Sequence, residues 1–225
     1  MSAVVTIDGP VSSGKGTIAR LIAAKLGWHL LDSGALYRVL GYYAQKLQVA
    51  LDDEATLVQL AKSLPVRFVE QQGEVRVILD NEDVSRIIRH ESVGELASQV
   101  AVLQPVRDAL LARQRAFAEP PGLVADGRDM GTVVFTDAPL KIYLTASAEE
   151  RARRRFEQLK EKGFNATLAT LVEDIRIRDE RDMNRDVAPL CPAPDAVTID
   201  STSLSIDQVV DRILAEAVKR HLAAI

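Results

Sequence analysis

A glycine-framed segment near the start of the chain, residues 9–17, restricts the fold more than any other feature of the sequence. It follows a short apolar run at residues 3–8, which predicts a strand, and leads into residues 15–26, where apolar side chains recur at helical spacing. The pattern Gly-x-x-x-x-Gly-Lys at such a junction is typical of a phosphate-binding loop. Its backbone N–H groups and its lysine would face the phosphates. We therefore predict that the chain binds a nucleoside triphosphate.

The threonine hydroxyl of this loop lies one position later in the chain than the hydroxyl of most P-loops. Gly16 follows Lys15, and the hydroxyl comes next, at Thr17, whereas many P-loops carry Ser or Thr directly after the lysine to bind Mg²⁺. Mg²⁺ could be held by Thr17, by water molecules, or with help from Asp32, and the sequence leaves these alternatives open. The donor site is expected to comprise Gly9, Pro10, Val11, Ser12, Ser13, Gly14, Lys15, Gly16 and Thr17.

Composition narrows the class of protein. The 225 residues are 47% hydrophobic, which is sufficient for a sizeable core, and the net charge of −4 argues against broad binding to nucleic acid or to an anionic membrane. A single cysteine, Cys191, rules out an internal disulfide framework. With no signal-like start and no long apolar run, we expect a cytoplasmic protein.

Strand and helix patterns alternate along most of the chain, which predicts an α/β fold with a parallel sheet covered on both faces. The five predicted core strands are residues 3–8, 28–31, 123–125, 140–144 and 197–199. Residues 66–69 and 75–79 instead predict a hairpin joined at Gln71-Gln72-Gly73, followed by a turn at residues 81–83. We therefore expect a small antiparallel insert at 63–90 within a core formed by 1–62 and 91–225.

Polar segments follow two of the core strands, where ligands bind in open α/β sheets. Residues 32–38 could form a phosphate site with Arg38, or only a turn and helix cap at Ser33. Residues 126–132 place two acids around Arg128, which suggests a functional loop, although a salt bridge within a turn would also account for them.

Arginines are concentrated in two predicted helices at 148–162 and 167–181, with a break at Gly163-Phe164-Asn165. A solvated, salt-bridged helical hairpin is one interpretation. The other is a mobile lid over about 151–186, whose arginines stabilise charge during phosphoryl transfer. We expect Arg151, Arg153 and Arg181 to form structural ion pairs.

These motifs together resemble the bacterial-type cytidylate kinases, within the nucleoside monophosphate kinases. The resemblance spans nearly the whole chain. It rests on Ile7-Asp8-Gly9-Pro10, Gly14-Lys15-Gly16-Thr17, Asp32-Ser33-Gly34, Tyr37-Arg38, the segment from Asp126 to Phe135, Arg178-Asp179, Asp182, Arg185, Ala188-Pro189-Leu190 and Ile199-Asp200-Ser201. It implies a P-loop three-layer fold with a helical lid, and transfer of the γ-phosphoryl group of ATP to CMP or dCMP with Mg²⁺.

The resemblance also implies roles for particular residues. The residues assigned to the acceptor nucleotide are Ser33, Arg38, Ser98, Arg107, Arg128, Asp129, Arg178, Asp182 and Arg185. Of these, Ser98, Arg107 and Asp129 would recognise cytosine, and Arg154 would face the donor. Catalysis would fall to Lys15, Arg128, Arg178 and Arg185. From spacing alone, Ser98 and Arg107 could equally be surface residues.

Two other functions remain open at this level. One is a kinase with another acceptor, such as uridylate, adenylate or a different small molecule. The other is a regulatory P-loop switch or a nucleic-acid-linked ATPase, which the absence of an Asn-Lys-x-Asp motif and the acidic charge disfavour. The expected partners are therefore small nucleotides, with neither nucleic acid nor membrane, and the chain is expected to be a monomer.

Overall fold

The computed structural model describes residues 2–71, 74–161 and 165–223. The strands, in chain order, are β1 (Ala3–Asp8), β2 (His29–Asp32), β3 (Val66–Gln71), β4 (Glu74–Leu79), β5 (Glu82–Asp83), β6 (Gly122–Gly127), β7 (Leu140–Thr145) and β8 (Val197–Asp200). The α-helices are α1 (Lys15–Leu26), α2 (Ser33–Lys46), α3 (Glu54–Ser63), α4 (Glu91–Val100), α5 (Gln104–Arg115), α6 (Ala148–Glu161), α7 (Leu168–Asn184) and α8 (Ile206–Lys219). Two short turns complete them, a 3₁₀ turn at Ile87–Arg89 and a π-helical turn at Met130–Val134.

The chain divides into two compact units. One is formed by the residues up to Leu31 and from Arg115 onward, and the other by Asp32–Gln114. Each unit has its own cluster of buried apolar side chains.

The first unit is built on a five-stranded sheet with the order β2-β6-β1-β7-β8. The central strand β1 is parallel to both neighbours, and Asp8 at its end lies level with Gly127 of β6 and Tyr143 of β7. Ile7, Val124 and Ile142 are fully buried or nearly so, and α1 and α8 contribute apolar side chains to the same core. The predicted five-stranded α/β sheet is confirmed, and the ends of β1 and β6 meet at one edge of it.

The second unit contains the predicted antiparallel sheet, with the order β3-β4-β5. The strands β3 and β4 pair from Val66 opposite Leu79 onward, as expected for a hairpin. The predicted joining residues Gln72 and Gly73 lie outside the described residues. The turn predicted at 81–83 is wrong in part, because Glu82–Asp83 form a third strand. The reversal occurs at Asp80-Asn81, where both residues have positive φ, as a tight hairpin turn requires.

The helix caps differ in one place from the sequence prediction. The side chain of Asp32 accepts a hydrogen bond from the Ala35 backbone N–H, so Asp32 is the N-cap of α2. Ser33, predicted as a possible cap, is instead the first residue of the helix and is buried. Among the helices of the described ranges, none combines the length and apolar character needed to cross a membrane.

Candidate functional site

The phosphate-binding loop connects the end of β1 to the start of α1. Ser12 and Gly14 have positive φ, at 59° and 89°, which turns the backbone sharply before the helix begins at Lys15. The Lys15 side chain is buried, and its Nζ donates a hydrogen bond to the Pro10 carbonyl oxygen at 3.1 Å. The lysine side chain is therefore folded back over the loop.

Two arginines of α6 contact the backbone of this loop. A guanidinium nitrogen of Arg151 donates to the Val11 carbonyl oxygen at 3.1 Å, and one of Arg154 donates to that of Ser13 at 3.3 Å. Arg154 also donates to the backbone carbonyl of Ser201 at 2.7 Å, at the end of β8. Arg154, which was predicted to face ATP, thus lies against the phosphate-binding loop. Arg151 contacts the same loop.

The arginine-rich helices contain both buried and exposed ion pairs. Arg151 is buried and donates to both carboxylate oxygens of Asp179 on α7, at 2.9 and 2.5 Å. Arg153 is exposed and pairs with Glu150 and Glu157 on its own helix. The structural pairing predicted for these two arginines is confirmed.

The same expectation is wrong for Arg181. This side chain is exposed, and within the described ranges no acid forms an ion pair with it. Gly163 and Phe164, where the break between the helices was predicted, lie outside the described residues.

The end of β6 and the loop after it carry the predicted acidic and basic residues. Asp126 and Asp129 are buried, and Arg128 is half-buried with its Nε donating to Asp182 of α7 at 2.9 Å. A Cβ atom placed on Gly16 would lie 3.2 Å from Oδ2 of Asp126. The structure therefore brings together Arg128 and Asp182, and sets the Asp126 carboxylate against the phosphate loop.

Asp8, at the end of β1, is tied to this same loop. Its two carboxylate oxygens accept hydrogen bonds from the backbone N–H groups of Met130 and Gly131, each at 2.8 Å. Burial raises the pKa of Asp8 from its ordinary value of 3.8 to about 6, and these two hydrogen bonds oppose that rise.

The C-terminal end of α7 provides the remaining predicted lid residues. Arg178 and Asp182 lie on the helix, whereas Arg185 is the first residue beyond it. The Nε of Arg185 donates to the Ala188 carbonyl oxygen at 2.7 Å. The helix predicted at 167–181 therefore continues to Asn184, and Arg185 lies just beyond its end.

In the second unit, Ser33 and Arg38 are held by neighbouring elements. The Ser33 hydroxyl donates to the side chain of Gln114 at 2.8 Å, in a buried position. The Arg38 guanidinium donates to the carbonyl oxygens of Ile88 and His90, at 2.9 and 3.1 Å. Both side chains are thus fixed by contacts within this unit.

The two predicted cytosine-recognition residues of this unit differ in burial. Ser98 is partly buried and donates to the Gly94 carbonyl oxygen on its own helix, while Gly94 also lies against the Arg38 guanidinium. Arg107 is buried, donates to the Ala101 carbonyl oxygen, and lies 5.8 Å from the ring centre of Tyr37. The alternative interpretation, that Arg107 is a surface residue, is therefore wrong.

The two residues predicted to hold Mg²⁺ differ in exposure. Thr17 is partly exposed at the start of α1, and Asp32 is exposed with one oxygen committed to capping α2. Within the described part of the chain, no three His, Cys, Asp or Glu side chains cluster as a metal site. Mg²⁺ in phosphotransfer sites commonly uses one or two protein oxygens together with phosphates and water. Thr17 and the Asp126 carboxylate beside Gly16 suit that pattern.

Sequence reasoning did not assign roles to several residues that the structure connects to the site. Asp8 and Asp126 belong to the motifs quoted above. Their positions at the ends of predicted strands could have indicated that they lie at the site. Gln114 accepts a hydrogen bond from the Ser33 hydroxyl. No sequence pattern could predict this contact, because the two residues lie 81 positions apart along the chain.

The strand, the phosphate loop with its lysine, and the helix that follows define a P-loop nucleotide-binding protein. The family model described as cytidylate kinase matches residues 5–219. The chain belongs to the cytidylate kinase family.

Similar proteins agree with this membership. The cytidylate kinase of Colwellia psychrerythraea is 62% identical over 212 residues, covering 94% of each chain. That of Pseudomonas putida is 60% identical over 224 residues, covering 99% of this chain and 98% of the relative. Among solved structures, an uncharacterized protein from Eubacterium ventriosum aligns with a TM-score of 0.53 at 11% identity, covering 97% of this chain and 99% of that chain, which is a similarity of fold alone.

Proposed function

We propose that this chain transfers the γ-phosphoryl group of ATP to CMP or dCMP, giving ADP and CDP or dCDP. The observation that carries the proposal is the match to the cytidylate kinase family over residues 5–219. The relatives named above are cytidylate kinases of nearly the same length. The phosphate loop and its arginines are consistent with the reaction.

The donor half is proposed to be the loop 9–17 together with Arg154. Lys15 would exchange its hydrogen bond to the Pro10 carbonyl oxygen for one to a β- or γ-phosphate oxygen. The N-terminus of α1 adds partial positive charge at the same place. Arg154, which is 3.3 Å from the Ser13 carbonyl oxygen, would extend the site beyond the loop.

The acceptor half is proposed to use Ser33, Arg38 and Arg128 for the phosphate of the monophosphate. Arg178, Asp182 and Arg185 would contact its sugar and phosphate. Arg128 and Asp182 form an ion pair with each other at 2.9 Å. Binding of a dianionic phosphate would compete with Asp182 for the Arg128 guanidinium, because both ligands are anionic oxygens.

Cytosine recognition is proposed for Ser98, Arg107 and Asp129. Cytosine presents an amino donor at N4 and acceptors at N3 and O2, so a guanidinium suits the acceptors and a hydroxyl or carboxylate suits the amino group. Uracil reverses the polarity at two of these positions and would leave buried groups unpaired. The buried positions of Arg107 and Asp129 make that penalty substantial.

The reaction as proposed needs no general base. A phosphate monoester has a second pKa of about 6, so the acceptor is mostly dianionic at pH 7. Positioning and neutralisation of the charge on the transferred phosphoryl group are the main requirements. Lys15, Arg128, Arg178 and Arg185 are proposed to supply that positive charge.

Mg²⁺ would be held by Thr17 and Asp126, and it would neutralise phosphate charge. Asp126 is added to the sequence-derived pair because its carboxylate lies beside Gly16. Asp32 remains a candidate through its second oxygen, with the first engaged by Ala35.

The remaining proposals concern the whole chain. The antiparallel sheet within 63–90 is proposed as an insert of the acceptor-binding region, with 1–62 and 91–225 as the core and about 151–186 as the lid. We also propose a monomer in the cytoplasm that acts on small nucleotides and not on nucleic acid or membranes, in keeping with the net charge of −4 and the single cysteine.

A coupled assay of ATP consumption against CMP, dCMP, UMP and AMP tests the reaction. We expect CMP and dCMP to give the highest kcat/KM, with UMP clearly lower. A higher value for UMP or AMP would identify a different nucleotide kinase. Slow ATP hydrolysis without stimulation by any monophosphate would favour a P-loop switch or ATPase instead.

A further inference from the structure

Asp8 is a buried acid whose carboxylate is committed to one loop. It lies at the end of β1, directly before the phosphate loop, and is 5% exposed. Both of its oxygens accept from consecutive backbone N–H groups, those of Met130 and Gly131, at 2.8 Å. A carboxylate with two acceptor oxygens is matched to two adjacent amide donors.

The loop that Asp8 holds is the one that presents Arg128 and Asp129. It follows β6 without a break and turns back through the π-helical segment Met130–Val134. The Asp129 carbonyl oxygen accepts from the backbone N–H groups of Val133 and Val134, at 2.9 and 3.2 Å. Met130 is fully buried, so the loop is fixed both by its own turn and by Asp8.

We propose that Asp8 is a positioning residue, which holds the loop at 128–131 so that Arg128 and Asp129 are aligned for the acceptor nucleotide. This inference rests on the proposed function of those two residues. Asp8 touches neither substrate and acts through the backbone of the loop. Its position next to Gly9 in the chain links the donor loop covalently to the anchor of the acceptor loop.

The substitution Asp8→Asn tests this role with little change in volume. An amide offers one carbonyl acceptor and an NH₂ group, so one of the two backbone N–H groups would face a donor. A buried N–H without an acceptor destabilises the local structure. The loop should therefore shift at Met130 or Gly131 while the core of the sheet is retained.

The measurement is steady-state kinetics with each substrate varied in turn. For Asp8→Asn we expect KM for CMP to rise at least about tenfold, the scale of one lost buried hydrogen bond, with KM for ATP within about twofold of the parent. Amide hydrogen exchange at Met130 and Gly131 should accelerate in the same variant. If Asp8→Asn does not fold, Asp8→Ser, which keeps one acceptor oxygen, takes its place in the comparison.

Ile142→Val is the matched control. Ile142 lies on the neighbouring strand β7, is 1% exposed and belongs to the apolar core of the first unit. Loss of one methyl group from this core should leave both KM values and the exchange of the two amides unaltered. Equal changes in both KM values for Asp8→Asn, or no change in either, would overturn the positioning role.

The two proposals can fail separately. If the parent enzyme does not phosphorylate CMP, the proposed function is wrong. If the parent is active on CMP and Asp8→Asn leaves KM for CMP unchanged, the proposed function stands and the role of Asp8 is wrong. Unaltered exchange at Met130 and Gly131 would also reject the anchoring, whatever the substrate.

Discussion

Several cationic side chains of the proposed site donate hydrogen bonds to backbone carbonyl groups. Lys15, Arg38, Arg107 and Arg185 each do so, at distances between 2.7 and 3.1 Å. A carbonyl oxygen carries only a partial negative charge, so a phosphate oxygen is a stronger acceptor for each of these cations. Such side chains can exchange a carbonyl for a phosphate oxygen without leaving a buried charge unpaired.

Arg185→Ala tests the contribution of one of these cations. We expect turnover with CMP to fall by two orders of magnitude or more, in the range found when a charge-stabilising arginine is lost, while KM for ATP changes little. Arg181→Ala is the matched control, because Arg181 is exposed and forms no ion pair within the described ranges. Near-normal turnover of Arg185→Ala in the coupled assay would remove this arginine from the catalytic set.

The buried carboxyl of Asp8 predicts a pH dependence of stability. Its pKa is raised from 3.8 to about 6, first by burial and also by the nearby Asp129, and is lowered by the hydrogen bonds to the loop and by Arg128. A raised carboxyl pKa means that the folded state binds the proton more tightly than the unfolded state does. The contribution of Asp8 to stability is therefore lost as pH rises from about 4 to about 6.

Urea unfolding of the parent and of Asp8→Asn over this pH range measures the effect. The free energy of unfolding of the parent relative to the variant should fall by on the order of 2 kcal/mol between pH 4 and 6. Parallel pH profiles for the two proteins would contradict the raised pKa.

At the level of elements, α6 and α7 are joined by one buried ion pair that also reaches the phosphate loop. Arg151 donates to both oxygens of Asp179 and to the Val11 carbonyl oxygen. The side chains of Arg151 and Asp179 are 5% and 13% exposed, so solvent screens the pair weakly. The phosphate loop and α7 are therefore connected through a single guanidinium.

Asp179→Ala leaves Arg151 buried and without that carboxylate. We expect a loss of about 3–5 kcal/mol in the free energy of unfolding, because an uncompensated buried charge remains. The exposed pair of Arg153 provides the control, and Arg153→Ala should leave the free energy of unfolding nearly unchanged. Equal and small losses for both variants in chemical denaturation would show that the Arg151–Asp179 pair contributes no more than a surface pair.

At the level of the whole molecule, two apolar cores support the proposed binding residues separately. The core of the first unit includes Ile7, Val124 and Ile142, and that of the second includes Leu40, Leu57 and Leu110. Donor residues belong to the first unit, whereas Ser33, Arg38, Ser98 and Arg107 belong to the second. Ligands that bind only folded protein stabilise it by mass action.

Nucleotide binding should therefore raise the melting temperature. At about 100 times its Kd, a nucleotide adds roughly 2.7 kcal/mol, which corresponds to an increase of several degrees for a chain of this size. We expect ATP with Mg²⁺ and CMP each to raise Tm in thermal-shift measurements, with UMP at equal concentration raising it less. Equal shifts with CMP and UMP would contradict cytosine selectivity at the binding step.

Much of the architecture follows from patterns that are local in the chain. Apolar runs and glycine-rich junctions predicted the five strands of the parallel sheet, the hairpin and the lysine loop, because periodicity and turn chemistry act over a few residues. The boundaries of β5 and α7 were not predicted, since Glu82–Asp83 are strand by virtue of pairing with β4. That pairing outweighs the weak strand propensity of the two acids.

The sequence by itself determined the fold class, the family and the identity of the phosphate loop, because those depend on local pattern and motif. The tertiary structure alone decided what each charged residue contacts. It showed Asp8 bound to the 130–131 amides, Arg151 bound to Asp179 and the loop, and Arg107 buried beside Tyr37. These contacts join residues far apart in the chain. The parallel pairing of β1 with β6 and the packing of α6 against α7 bring the first two sets of side chains within hydrogen-bonding distance.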